Sequence, residues 1–274
     1  MTGSLSAEEC DRFQRDGLLF PLHALTPAEA HFALAQLETL EAAEGGKLSP
    51  ATRGKPHILL PWLSEIVRNT QILDAVESLL GPDILCWSSS FFAKNPADGS
   101  FVSWHQDSTY WGLSGNDVVT AWVAFTSSDT SNGCLRVIPG SHAGAQLPHR
   151  DSNAEGNMLS RGQEIAVEVD EAQAVDVVLQ AGEFSLHHFR IAHGSARNVG
   201  TTRRVGFAIR YIPTRARQLQ GRTSALLVRG VDHYGHFEPE PVPAYDFAPD
   251  AVAFHARAVG QLLEVAGVTP GARS

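Results

Sequence analysis

The chain lacks a basic excess, a long apolar run and more than a few cysteines, and each shortage removes a class of protein. Twenty-one Lys and Arg stand against 30 Asp and Glu in 274 residues, a net charge of −9. Proteins that bind nucleic-acid backbones usually carry the opposite balance, so no nucleic-acid partner is expected. No apolar stretch approaches the ~18 residues of a membrane span, and the opening MTGSLSAEEC has neither the basic nor the apolar region of a secretory signal. A cytoplasmic protein without a membrane partner is expected. The three cysteines, Cys10, Cys86 and Cys134, are widely spaced and form no CxxC, so neither a disulfide framework nor a thiolate zinc site is signalled. Internal repeats and clear linkers are also missing.

What is present is a globular composition, 43% hydrophobic and 19% charged, in a length that suits one domain. Residues 1–82 read as mainly helical. Ser6 with Glu9 and Thr26 with Glu29 are capping boxes, Gly17 and Gly45-Gly46 are stops, and both helices are expected to be amphipathic. A third helix around 70–80 puts Ile72, Leu73, Val76, Leu79 and Leu80 on one face before Gly81-Pro82. From 83 to 217 the texture changes to short strands separated by turn signals: ILCWSSSFF, FVSWHQD, VVTAWVAF, CLRVIP, EIAVEV, AVDVVL, EFSLHHF and RRVGFAIRYI. Some eight strands after a helical region predict a mainly β fold with flanking α-helices, a jelly roll with the N-terminal helices on one outer face. Residues 218–274, which end in the amphipathic DAVAFHARAVGQLLEVAG, read as a C-terminal extension of the same domain; plain surface structure is the preferred reading over a segment that partly covers a site.

Three H-x-D/E pairs occur: His105 and Asp107, His149 and Asp151, His236 and Glu238. On a strand, residues two apart share a face, so only a pair on a strand aims imidazole and carboxylate at one point. FVSWHQD qualifies; the other two lie in turn-rich or Pro-rich runs and are expected to be solvated. A third ligand is offered by GEFSLHHFRIAHGSARN, through His187, His188 or His193, the last standing before Gly194-Ser195 at a strand end. Two imidazoles and a carboxylate on one side of a metal leave positions open opposite, as in non-haem Fe(II) oxygenases. After His193 the chain returns as RRVGFAIRYI. Arg204 shares a face there with the small Gly206 and Ala208, where a guanidinium has room to bind a carboxylate such as the distal one of 2-oxoglutarate.

These residues together resemble the phytanoyl-CoA dioxygenase family of Fe(II)- and 2-oxoglutarate-dependent oxygenases. The resemblance rests on H-Q-D at 105–107, N-G-C-L-R-V-I-P-G-S-H at 132–142, G-E-x4-H-x4-H-G-S-x2-N at 182–198, and an arginine eleven residues after the last histidine. It implies a double-stranded β-helix, cupin-like core. It further implies His105, Asp107 and His193 as iron ligands, Arg204 as the 2-oxoglutarate anchor with Ser195 assisting, and Trp122 and Gln106 near the co-substrate. Trp122 has an alternative as a core aromatic, and Gln106 points to the opposite face from its neighbours in a regular strand. Relatives that halogenate replace the carboxylate ligand with a small residue; Asp107 is present, so hydroxylation or a related oxidation is expected.

The implied reaction uses O2 and yields succinate and CO2, with ascorbate as a supporting reductant. The substrate would be a small molecule bound by a monomer or homodimer. Lys94, Trp104, Tyr110 and Trp111 are expected near the entrance, with Arg190, Arg210 and Arg215 as spare cations; an anionic metabolite fits if several face inward, although each taken alone reads better as an ordinary surface or packing residue. His142 is read as structural, and His188 as a core or supporting residue. Two other classes stay open: a cupin-like metal-dependent hydrolase or isomerase, and a non-catalytic jelly-roll binding protein.

Overall fold

A computed structural model describes residues 3–152, 154–159 and 162–267. The capping boxes open helices where expected. Ser6 and Glu9 start α1 (Ala7–Asp16), which ends at Gly17 in the left-handed conformation, φ 71°, its N–H donating to the Phe13 carbonyl. A continuous helical region does not follow. Leu18–His23 is a strand, β1, because Gly17 stops the helix and Pro21 cannot sit inside one, whereas a sheet edge tolerates proline.

Thr26 and Glu29 cap α2 (Pro27–Ala43), which is less one-sided than expected: Ala30, Ala33 and Leu37 are buried, yet Phe32 is 56% exposed. The short α3 (Pro50–Arg53) and α4 (Pro61–Ile66) precede α5 (Thr70–Leu80), capped by the Asn69 side chain and burying Ile72, Leu73, Val76 and Leu80.

All eight expected strands form, in most cases shorter than their apolar runs. They are β2 (Ile84–Lys94), β3 (Val102–His105), β4 (Val119–Ala124), β5 (Leu135–Val137), β7 (Glu164–Ile165), β8 (Val175–Val177), β9 (Glu183–His188) and β11 (Arg204–Pro213). Further strands are β6 (His149–Arg150), β10 (His193–Ser195), β12 (Ser224–Arg229) and β13 (Glu238–Pro239), with helices α6 (Ser108–Trp111) and α7 (Pro249–Val265).

The main sheet has the order β1-β9-β4-β11-β2-β12-β13, antiparallel except for the last pair, and a smaller antiparallel sheet has the order β3-β10-β5-β8. Neither closes into a barrel; the pair is an open jelly roll. Alternation along β11 divides its side chains. Val205, Phe207, Ile209 and Tyr211 join Phe13, Leu37, Leu63 and Ile72 in a core under the helices. Ala208, on the other face, packs with Trp122 and with Leu135, Val137 and Val177 of the smaller sheet. The site therefore has to lie between the sheets, on the face that carries Arg204, Gly206, Ala208 and Arg210.

The C-terminal segment is tied to this frame by buried charge. The Lys55 ammonium donates to Glu240, to the Trp87 carbonyl at 2.6 Å and to the Ser224 carbonyl at 2.9 Å, while His57 lies 2.8 Å from the other Glu240 oxygen and 2.6 Å from Ser89 Oγ. Burial alone raises the Glu240 pKa, but Lys55 and His57 outweigh it and hold the carboxyl at about 2.

Glu240→Ala leaves Lys55 buried without its counter-charge and is expected to cost about 3–5 kcal/mol, read by urea or thermal unfolding. Because the folded pKa lies below the unfolded value near 4.3, the Glu240 contribution is complete above that value and fades as pH falls toward about 2. The variant should lose correspondingly less stability than the native chain across that window.

Candidate active site

His105 ends β3 and pairs in register with His193, which begins β10. Asp107 is no longer on the strand. The chain has already turned into the α-helical conformation there, φ −58° and ψ −36°, so the turn into α6 and not strand alternation brings the carboxylate beside the imidazole. His105 Nε2 lies 3.3 Å from Asp107 Oδ1 and His193 Nε2 4.0 Å from Oδ2; the three donor atoms lie within 4.8 Å of one another, and all three residues are buried.

The backbone sets the chemistry of both rings. His105 Nδ1 is 2.9 Å from the Ser103 carbonyl and His193 Nδ1 3.0 Å from the Ile191 carbonyl. A carbonyl only accepts, so each Nδ1 carries the proton and a neutral ring has its lone pair at Nε2. Two lone pairs and a carboxylate then converge on one point, an arrangement that suits a cation. Burial, followed by the charge of His105, pulls the His193 pKa down to about 4, which favours the neutral ring. Burial raises the Asp107 pKa, but where a proton instead of a metal sits on His105 Nε2, the hydrogen bond it donates and the charges of His193, His105 and Arg210 outweigh burial and leave it at about 2. The donor set fits a divalent metal with N2O ligation.

Of the three histidines on the β9–β10 stretch, His193 joins the donor set. His187 also faces the cavity, its ring 5.0 Å from that of His193, whereas His188 turns away, with Nε2 donating to the Asn116 carbonyl at 2.7 Å.

β11 runs antiparallel to β2 with Arg204 opposite Lys94, and both side chains are fully buried. Arg204 Nη1 donates to the Gly133 carbonyl at 2.9 Å, Nε has no partner among the described residues, and the guanidinium carbon lies 5.0 Å from the centroid of the Trp122 ring. Gly206 makes that stacking possible, since a Cβ there would stand 1.9 Å from the ring. Lys94 was expected at the entrance; instead its ammonium donates to Ser195 Oγ at 2.6 Å and to the carbonyls of Ser195, Gly133 and Ala196. Burial, then the charge of Arg204, lowers the Lys94 pKa to about 7.

One cavity of about 940 Å³ joins these groups, lined by the three donor residues together with Arg204, Ser195, Trp122, Tyr110, Trp111 and Arg210. Two other expected residues lie elsewhere. Trp104 points to the far side of β3, with the Arg136 guanidinium carbon 5.6 Å from its ring centroid, because neighbours on a strand alternate. Gln106 also turns away from the cavity: its amide donates to the Arg190 carbonyl at 2.6 Å and its Oε1 accepts from Gln146 and Leu147.

His149 is not simply solvated. It lies on β6, and its Nε2 accepts from the Gln106 N–H at 2.9 Å, one residue from the donor set. Arg190 is spent on the Gly144 carbonyl and Arg215 on Asp117, so neither serves the cavity. Sequence reasoning missed Arg53 and the α7 residues Val259, Leu262 and Leu263, which also line the cavity. Nothing local marks them, because they reach the site only through the packing of remote segments.

The phytanoyl-CoA dioxygenase (PhyH) family model matches residues 2–206, the stretch that contains all three donors and Arg204. The chain belongs to this family. Among curated family relatives, the probable alpha-ketoglutarate-dependent hypophosphite dioxygenase of Stutzerimonas stutzeri is 30% identical over 169 residues, 61% of this chain and 58% of that protein. The chain spans about half the length of the curated relatives it matches. Among solved structures, a protein described as "non-heme monooxygenase; ThoJ apo" matches 94% of this chain and 97% of its own at 43% identity and a TM-score of 0.84. "CytC3 with Fe(II) and alpha-ketoglutarate" matches 90% and 98% at 26% identity and a TM-score of 0.66.

Gly206→Ala is expected to push the Trp122 ring from its place beside Arg204 in this PhyH-family fold. Overpacking of this kind costs about 1–3 kcal/mol, and the near-ultraviolet circular dichroism should change along with the melting temperature. An unchanged spectrum would show that the ring does not depend on Gly206.

Proposed function

We propose that the chain is a single-domain Fe(II)- and 2-oxoglutarate-dependent dioxygenase that hydroxylates, or otherwise oxidises, a small molecule. The observation that carries this is one cavity with a buried two-histidine, one-carboxylate donor set and, on its floor, a buried arginine whose Nε has no described partner. A metal hydrolase or isomerase needs the first feature and has no use for the second. In this reading His105, Asp107 and His193 hold Fe(II), and Arg204 anchors the distal carboxylate of 2-oxoglutarate in a fork.

When bound, iron, 2-oxoglutarate and O2 supply the oxidation, releasing succinate and CO2. The protein contributes position and dryness. The Ser103 and Ile191 carbonyls fix the two imidazole tautomers. Trp122 braces the Arg204 guanidinium. Lys94, held by Ser195, adds positive charge at the carboxylate end when protonated. Gln106 acts at one remove, by holding the 144–149 loop behind Asp107.

The purified chain, given Fe(II) and then 2-oxoglutarate without oxygen, should develop a visible metal-to-ligand absorption band, and admission of air with ascorbate should yield succinate. No band and no succinate would sink the proposal. Arg204→Ala should weaken 2-oxoglutarate in the anaerobic titration by roughly thirtyfold or more, the ~2 kcal/mol expected for truncating a buried charged partner, with Fe(II) affinity changed far less. Equal loss of both ligands would remove Arg204 from its assigned role.

A further inference from the structure

We infer that Arg210 forms a subsite for the carboxylate of an amphiphilic ligand whose apolar body lies along α7. The inference that this ligand is the substrate rests on the oxygenase reading, while the binding itself does not. Arg210 lies on the inner face of the main sheet in register with Thr120, which is in register with His187. On this row three buried polar atoms, Arg210 Nε, Thr120 Oγ1 and His187 Nδ1, have no partner among the described residues. All three residues line the cavity, and Thr120 and His187 are 2% and 3% exposed. Buried polar groups are ordinarily satisfied, so three adjacent ones facing one cavity mark a place built for a polar ligand.

The geometry of Arg210 selects the ligand. Its Nη1 is committed to Ser90 Oγ at 2.5 Å and the Ala208 carbonyl at 3.3 Å, which leaves the Nε–Nη2 edge, two coplanar donors that match the two oxygens of a carboxylate. The guanidinium carbon lies 5.8 Å from the Phe92 ring centroid and 5.7 Å from that of Trp111, within cation–π range of both rings.

Charge points the same way. The Arg53 side chain, half-buried in the cavity wall, makes no hydrogen bond or ion pair with a described residue, and of the two carboxylates that line the cavity Asp107 is committed to the donor set and Asp151 lies exposed. Val259, Leu262 and Leu263 of α7 give the same cavity an apolar wall. A ligand that satisfies both surfaces has one anionic end and a hydrocarbon or aromatic body.

Equilibrium dialysis of radiolabelled octanoate against the full chain tests this, with unlabelled octanamide and 2-oxoglutarate as competitors, both without metal and with Fe(II) and 2-oxoglutarate under nitrogen. Octanoate should bind in both conditions, and octanamide, with the same chain and no charge, should compete at least about tenfold more weakly. Arg210→Met should lose about tenfold or more in octanoate affinity, and Arg210→Lys, which keeps the charge but not the fork, should fall between. No octanoate binding, equal competition by octanamide, or full affinity in folded Arg210→Met would overturn the inference. So would 2-oxoglutarate competition that disappears with Arg210→Met, since the subsite would then belong to the co-substrate. Arg210-dependent octanoate binding in a protein that never forms the 2-oxoglutarate band would uphold the subsite and refute the oxygenase reading.

Discussion

The two-residue alternation of the main sheet is the constraint on which everything else depends. Along β11 every second side chain is needed by the core beneath the helices, and the residues between are thereby forced into the space between the sheets. Arg204, Gly206, Ala208 and Arg210 have no other place to go. Their neighbours across the strands, Lys94 on β2, Trp122 and Thr120 on β4 and His187 on β9, are fixed on the same side by register. A slip of one residue would send four arginine-bearing and small positions into the apolar core, so the fold and the site are held by the same energy.

Burial then gives these groups properties they lack in water. Arg204, Lys94, Asp107 and His193 are all desolvated, and their pKa values move in the directions that their surroundings dictate. Half of the buried side-chain atoms without partners among the described residues lie on this one inner face: Thr120, Ser185, His187, Arg204 and Arg210. Unsatisfied polar groups are costly in a folded protein, and their concentration here is the cost of keeping a surface ready for ligands.

Much of this was legible in the sequence because it is local. Capping boxes, strand alternation and the parity of Arg204 depend only on neighbouring residues, and the structure places each accordingly. What failed was contextual. β1 was hidden by a short apolar run containing Pro21, and Asp107 reaches its place by a turn that strand spacing did not foresee. Trp104, Gln106 and Lys94 sit in the right segments, but their side chains are claimed by Arg136, by the 144–149 loop and by Ser195, partners remote in sequence or in unremarkable loops. Arg53 could not be read at all, and the amphipathic stretch that forms α7 did not reveal which surface it covers, since only the packed chain brings both to the cavity.

The family match ends at residue 206, and that boundary falls within the inner face of β11. Arg204 lies before it; Arg210 and the whole of α7 lie after it. The cavity is thus assembled from two stretches of chain, one that brings the donor set and Arg204, and one that brings Arg210 and the apolar residues of α7. Substitutions on α7 can therefore reshape one wall of the cavity without touching the segments that carry the donor set.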